Sequence, residues 1–305
     1  MRSAAHHGSI EARHRRAHKA KACATSKTSL RRSFLLGSAF LAALFLAPSA
    51  QAWGNNAQRL VLNKAIDTLP YEIRVFFDNN RTDLLRHVSD PFDAIAKNPN
   101  ERHNHYLTLE KYGRFPFENL PRDYKAAVQK FGKSKVDANG LLPWEIGVYS
   151  QKLTVALKTG KWEEARIAAA ILAYYVAEAH DPFNTTDDFD GKLSKQPGVN
   201  ERFGTTLIDR YSSFFPMRPA DASFISDPTD QAFDIILNSH ATLEGVLLAD
   251  RNSRRGETTF NDAYYDRFYN LVAPSLLRQL SDASTSVGSY WLTAWINAGK
   301  PALPH

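Results

Sequence analysis

Residues 162–180, WEEARIAAAILAYYVAEAH, decide the fold that this sequence predicts. The run opens with two glutamates, Glu163 and Glu164, which favour the first turn of a helix, and continues with alanine-rich, almost wholly apolar turns. A helix that is apolar on every side is stable only where protein surrounds it. The run therefore predicts a buried central helix that ends where Asp181-Pro182 breaks the pattern.

Amphipathic helical patterns surround this central run, and strand patterns are absent. Two connections rich in Asn, Asp, Pro and Gly separate the patterns, HVSDPFDAIAKNPNERHNHY at 87–106 and HDPFNTTDDFDGKLSKQPGVNERF at 180–203. Irregular connections of that length usually line a site or bind something. We expect an all-α fold, a single mostly helical domain with long loops around one cleft. Apolar residues recur at helical spacing at 60–66, 73–77, 144–157, 231–249, 262–280 and 284–298.

The first 52 residues have the pattern of an export signal. A basic segment ends in SLRRSFLLGS at 29–38, a short apolar run follows, and SAQA at 49–52 supplies an Ala-x-Ala cleavage site. The pair Arg31-Arg32 fits a twin-arginine signal, and it fits an ordinary secretory signal as well. We expect cleavage before Trp53 and a periplasmic or extracellular location for a domain spanning 53–305, with no transmembrane segment in the mature chain.

The basic charge of the chain belongs to this leader. The whole sequence has 38 Lys and Arg against 32 Asp and Glu, and the leader holds nine of the basic residues and one acid, Glu11. The mature chain keeps 29 basic and 31 acidic residues, a net charge of about −2. Bulk attraction to nucleic acid is therefore not expected. Cys23, the only cysteine, also lies in the leader, so the mature chain has no disulfide.

Seven segments spread over the mature chain resemble the zinc-dependent phospholipase C and single-strand nuclease superfamily, in its bacterial phospholipase C-like branch. Members are mostly helical exported enzymes that bind up to three zinc ions in one cleft and cleave phosphate esters. Zinc in such a site polarises phosphoryl oxygens and generates hydroxide from bound water. The matching segments are WGNNAQRLVLNKAIDTLPYE, HVSDP, NHYLTLEKYG, GLLPWEI, YYVAEAHDPFNTTDDFDG, GVNERF and YWLTAWINAGKPAL.

The resemblance implies a ligand set, and this chain keeps only part of it. Trp53 at the mature N-terminus, Asp90 in VSDP and His105 in NHYL match the family pattern. Neutral amides are poor zinc ligands and glycine has no side chain, so the second zinc would lose its protein ligands. The ligand positions occupied by other residue types are Gln58, Tyr174, Glu178, Asn184, Asn200 and Gly204.

A reduced metal site is the most that the resemblance allows. Asp90, His105 and Glu178 could form a His-carboxylate set for one zinc ion, and Trp53 would keep its terminal groups. We expect at most one tightly bound zinc, or none if the site is fully degenerate. Taken singly, Asp90 is also explained as a turn former before proline, His105 as a core histidine and Tyr174 as a core aromatic.

Two functions follow from these expectations. The first is an exported phospholipase C/nuclease-like protein with a degenerate zinc site, weakened or inactive as a phosphodiesterase, that binds a phosphate-bearing or lipid-headgroup ligand. The alternative is an active metal-dependent phosphoric ester hydrolase with one metal at Asp90, His105 and Glu178, and Asp90 as its base. Phospholipid is then the first substrate class, and nucleic acid is the second. We expect the predicted site residues to converge on one cleft.

Overall fold

A computed structural model describes residues 53–257 and 259–304, which fall in one compact unit, so the leader and the predicted cleavage site lie outside the described residues. This part of the chain is all-α and contains no strand, as predicted. Its helices are α1 (Asn55–Asp67), α2 (Tyr71–Asn79), α3 (Arg81–His87), α4 (Asp90–Lys97), α5 (Tyr124–Phe131), α6 (Lys133–Ala138), α7 (Leu142–Lys158), α8 (Trp162–Ala179), α9 (Val199–Glu201), α10 (Leu207–Tyr211), α11 (Pro228–His240), α12 (Leu243–Arg254) and α13 (Asp262–Asn297).

Helix α8 is the buried centre of the domain, as its sequence predicts. It packs against α1, α3, α7 and α13. Two indole groups contact it near its middle and near its C-terminal end, because Trp291 donates to the Ala169 carbonyl at 3.0 Å and Trp53 donates to the Ala177 carbonyl at 2.8 Å. Small alanine side chains let neighbouring helices approach closely on several sides, which accounts for the alanine content of this run.

Helix α13 corrects the prediction of two C-terminal helices. Residues 262–297 form one helix of 36 residues, begun by Asn261, whose side chain accepts a hydrogen bond from the Tyr264 amide. No glycine or proline lies between 280 and 284 to end it. The helix runs against α1 so closely that a Cβ at Gly288 would lie 2.0 Å from Thr68 Oγ1.

The prediction of one helix over 231–249 was also wrong. The chain turns at Ala241 and Thr242, which separate α11 from α12. Neither residue is a helix breaker, but Thr242 Oγ1 donates to the Ser239 carbonyl and ends α11 locally. Helices α3, α5, α6, α9 and α10 were not predicted, and the loop expected at 87–106 contains α4 and a 3-10 helix, Pro99–His105.

The second long connection, 180–203, is mostly irregular, as expected. It contains a 3-10 turn at Pro182–Thr185 and then a series of turns, before α9 continues through a π-helical turn at Arg202–Thr206 into α10. Its two ends carry Asn184 and Asn200, so this connection positions two of the predicted site residues. None of the helices in residues 53–257 and 259–304 is long and apolar enough to cross a bilayer.

Candidate functional site

Glu178 lies at the centre of a buried polar network. Its side chain, in the last turn of α8, is 2% exposed. The Gln58 side chain on α1 donates from Nε2 to Glu178 Oε1 at 2.7 Å, and Asn184 Nδ2 donates to Glu178 Oε2 at 2.9 Å. Asn184 Nδ2 also donates to the backbone carbonyl of Glu178 at 3.1 Å. The carboxyl group is therefore held by two amide groups from separate segments of the chain.

The environment of Glu178 opposes its ionisation. Burial raises the pKa of Glu178 well above its usual range, and the nearby carboxyl of Asp181 raises it further. Hydrogen bonds from Asn184, Gln58 and the backbone N–H of Trp53 favour the ionised form and offset part of that rise in pKa. Trp53, the predicted mature N-terminus, thus has its backbone next to the Glu178 carboxyl.

The first described residues are tied to the π-helical turn that carries Gly204. The Gly54 amide donates to the Gly204 carbonyl at 3.1 Å, and the Trp53 ring lies 5.8 Å from the Phe203 ring, centroid to centroid. Asn200 lies one turn before Gly204 and is buried. These contacts bring the segments of Trp53, Asn200 and Gly204 together at the end of α8.

His105 bonds Tyr174 through one ring nitrogen, and its other ring nitrogen, Nε2, lies 3.8 Å from Glu101 Oε1. His105 Nδ1 is 3.1 Å from the Tyr174 hydroxyl, and the two rings are nearly perpendicular with centroids 5.3 Å apart. Burial lowers the pKa of His105 to about 4, with a further contribution from the positive charge of Arg102, so the imidazole is neutral at pH 7. The segment after it reaches the network, because the Leu107 amide donates to the Asn184 carbonyl at 2.9 Å.

Asp90 has a different partner. It begins α4, its side chain is 42% exposed, and its Oδ2 lies 2.7 Å from His87 Nδ1. Asp90, His105 and Glu178 therefore each engage another group in this structure, instead of facing one point.

The residues present do not form a zinc site in this arrangement. Over residues 53–257 and 259–304, no group of three or more His, Cys, Asp and Glu side chains is placed to hold a metal ion. The amides at Gln58 and Asn184 direct N–H donors at the Glu178 carboxyl oxygens, whereas a zinc ligand must direct a lone pair at the ion. The network is also enclosed, since its members Gln58 and Glu178 are both buried.

Sequence reasoning missed the contribution of the Asp181 side chain. Asp181 is fully buried, and its Oδ1 accepts a hydrogen bond from the Phe183 amide at 2.8 Å, which caps the 3-10 turn that carries Asn184. Burial raises the pKa of Asp181 to about 7. The Asp-Pro sequence was a detectable signal for this cap, because aspartate before a short helical turn is a common N-cap.

Four buried atoms of this region have no hydrogen-bond partner in the protein. They come from side chains that are each at least nine-tenths buried. Buried polar atoms in folded proteins are usually satisfied by protein groups or ordered water, so leaving them unsatisfied carries a cost in stability. The atoms are Gln58 Oε1, His105 Nε2, Asp181 Oδ2 and Asn200 Oδ1.

Comparison of the sequence with protein-family models and with curated proteins gives no match. The superfamily resemblance therefore rests on the seven segments quoted from the sequence, and it stays a prediction.

Proposed function

We propose that this chain is an exported relative of the zinc-dependent phospholipases C and single-strand nucleases in which a hydrogen-bonded network replaces the metal centre. The observation that most supports this proposal is the pair of amide hydrogen bonds from Gln58 and Asn184 to Glu178. At both amide positions the family pattern has histidine. An imidazole offers zinc a lone pair, while these amides offer N–H donors to the Glu178 carboxyl oxygens, so the substituted residues bond one another without metal.

The proposal assigns the chain a binding or scaffold role instead of rapid phosphodiester hydrolysis. A binuclear mechanism needs two ions beside the scissile phosphate, and Asn184, Asn200 and Gly204 supply no imidazole or carboxylate to hold a second one. The ligand class that we propose is a phosphate-bearing molecule or a lipid headgroup, which the family resemblance supports. Export supplies the setting, with cleavage before Trp53 and delivery to the periplasm or the extracellular space.

One observation favours the alternative of a single-metal hydrolase. His105 is neutral at pH 7, and its Nε2 has no hydrogen-bond partner in the protein, so one imidazole is able to bind a metal ion. A metal site there would require Asp90 to break its contact with His87 and Glu178 to break its hydrogen bonds with Gln58 and Asn184. The alternative thus requires a rearrangement that the proposed binding role does not.

The test is a hydrolysis assay on the exported, processed protein, with N-terminal sequencing to establish where it begins. A chromogenic phosphodiester and a short-chain phospholipid serve as substrates, each with and without added zinc, beside a fully liganded relative. We expect turnover far below that of the relative and no response to zinc. Zinc-dependent turnover comparable to the relative would overturn the proposal and establish the hydrolase. Calorimetry with inorganic phosphate and with glycerophosphoglycerol tests the ligand class separately, and absence of binding by both would refute it.

A converse experiment restores the family's ligands. If the inherited geometry persists, the folded variant should hold more zinc per chain than the unmodified protein, because imidazole and carboxylate groups would replace the amides. A folded variant with no gain in zinc would show that the region is not a converted metal centre. The substitutions are Tyr174→His, Glu178→Asp, Asn184→His, Asn200→His and Gly204→Glu.

A further inference from the structure

The connection between Asn184 and Asn200 presents two large apolar side chains on the surface. Phe189 is 54% exposed and Leu193 is 68% exposed, and both lie in one short turn. A third, Leu248 on α12, is 50% exposed. Single exposed apolar residues are ordinary, but several in one region mark a contact surface. We call Phe189, Lys192, Leu193, Lys195, Leu248, Arg251 and Arg255 the loop surface.

Two acids, of which Asp188 is buried, fix the backbone of the loop. The carboxylate of Asp188, itself buried, accepts hydrogen bonds from the Leu193 amide at 2.6 Å and the Ser194 amide at 3.0 Å. The neighbouring Asp190 accepts one from the Gly198 amide at 3.1 Å. Because these bonds fix the backbone, Phe189 and Leu193 stay exposed instead of folding back onto the protein, and binding through them costs little ordering entropy.

Gln196 joins the loop to helix α12. Its Nε2 donates to the Leu247 carbonyl at 2.8 Å and to Asp250 Oδ2 at 2.7 Å, and Arg251 donates to its Oε1 at 3.3 Å. Asp250 is fully buried and also pairs with Arg202. The turn of α12 that carries Leu248 and Arg251 therefore lies beside the loop, so the apolar residues of the two segments belong to one region.

The loop surface carries four exposed basic side chains, Lys192, Lys195, Arg251 and Arg255. The acids of the same segments are Asp190, which lies 3.6 Å from the Lys192 ammonium, exposed Glu244, and exposed Glu257, which pairs with Arg267 at 3.6 Å. Apolar side chains among lysines and arginines match an interface whose surface is anionic and whose interior is hydrocarbon.

We propose that the loop surface docks the protein on an anionic lipid bilayer. Phe189 and Leu193 enter the headgroup region, and the basic side chains contact lipid phosphates. The inference rests on the loop surface alone, so it stands or falls separately from the proposed function. If both hold, docking brings the connection that joins Asn184 to Asn200 next to phosphate-bearing headgroups.

The test is co-sedimentation of the purified protein with vesicles of phosphatidylcholine alone and of phosphatidylcholine mixed with phosphatidylglycerol. We expect binding to the mixed vesicles that weakens as salt is added, since exposed charges are screened. The double variant Phe189→Ser/Leu193→Ser should bind at least about tenfold more weakly, and Lys192→Glu/Lys195→Glu should lose about tenfold or more. Phe214→Ser is the matched control, because Phe214 is 79% exposed and lies outside the loop surface.

Several outcomes would overturn the proposal. These are absence of binding to the mixed vesicles, equal binding by the Phe189→Ser/Leu193→Ser variant, or equal loss in Phe214→Ser. Concentration-dependent self-association that Phe189→Ser/Leu193→Ser abolishes, without vesicle binding, would assign the loop surface to a second copy of the chain. Circular dichroism of each variant establishes that it is folded, which we expect because the substituted side chains are exposed.

Discussion

Replacing Asn184 by alanine tests the buried network through the stability of the fold. The side-chain amide of Asn184 donates to Glu178 Oε2 at 2.9 Å and to the Glu178 carbonyl at 3.1 Å. A hydrogen bond contributes about 0.5–1.5 kcal/mol net, and a buried acceptor left without its donor costs about 1–3 kcal/mol. Because Asn184 is only partly buried, we expect Asn184→Ala to lower the free energy of unfolding by about 2–3 kcal/mol.

The matched control is Asn56→Ala. The Asn56 side-chain amide donates one hydrogen bond, to Asp209 at 2.7 Å, and this bond lies on the surface. Its loss should change the free energy of unfolding by no more than about 0.5 kcal/mol. Urea denaturation followed by circular dichroism measures both variants, and equal slopes show that the comparison is valid. If Asn184→Ala is no more destabilising than Asn56→Ala, then Asn184 does not support Glu178 and the network does not hold this region together.

Three further predictions concern other parts of the fold. Burial raises the pKa of Asp181 from 3.8 to about 7, so the folded state binds its proton more tightly and the free energy of unfolding should fall as the pH rises from 3.8 to about 7. In denaturation curves measured over a pH series, Asp181→Asn should remove on the order of 4 kcal/mol of that fall. An unchanged pH profile would refute the assignment. Asp250→Ala leaves the buried Arg202 charge unpaired and should lower the free energy of unfolding, measured in urea, by on the order of 3–5 kcal/mol. Asp262→Ala breaks an exposed pair with Arg210 and should lower it by less than about 1 kcal/mol. Similar values for the two variants would contradict the role of burial. Gly288→Ala should lower the melting temperature, because the new Cβ has no room against the end of α1. Gly245→Ala on α12 has open space around its Cβ and should be neutral or stabilising by up to about 1 kcal/mol. The reverse order of stability would refute the close packing of α13 on α1.

The sequence was sufficient to predict the fold class and the central helix because both depend on local periodicity. The run at 162–180 is apolar on all sides, and that pattern by itself requires burial. Helix ends that depend on tertiary contacts were not predictable. The turn between α11 and α12 has no glycine or proline, and His240 beside it bonds Thr185, 55 positions away in the chain. Helix α13 continues past residue 282 because no glycine or proline interrupts it there, although the change in its apolar pattern had predicted two helices.

The site was predictable only in part. Residue types at the positions that the resemblance matches to metal ligands predicted a degenerate metal site, but they did not predict the hydrogen-bond partners of these residues. The bond between Gln58 and Glu178 joins residues 120 positions apart, and sequence alone gives no such pairing. Asp90 shows the limit of reasoning by position, because it matches the family pattern and yet pairs with its neighbour His87 on the surface.

In the proposed function, amide hydrogen bonds hold Glu178 at the place where the family resemblance implies a metal cluster. Elemental analysis of the exported, processed protein after dialysis, with the zinc content expressed per chain, tests this claim most directly. We expect at most one tightly held zinc ion per chain, because Asn184, Asn200 and Gly204 cannot hold a second one. Two or more tightly held zinc ions per chain, with zinc-dependent phosphodiester turnover in the same sample, would contradict it.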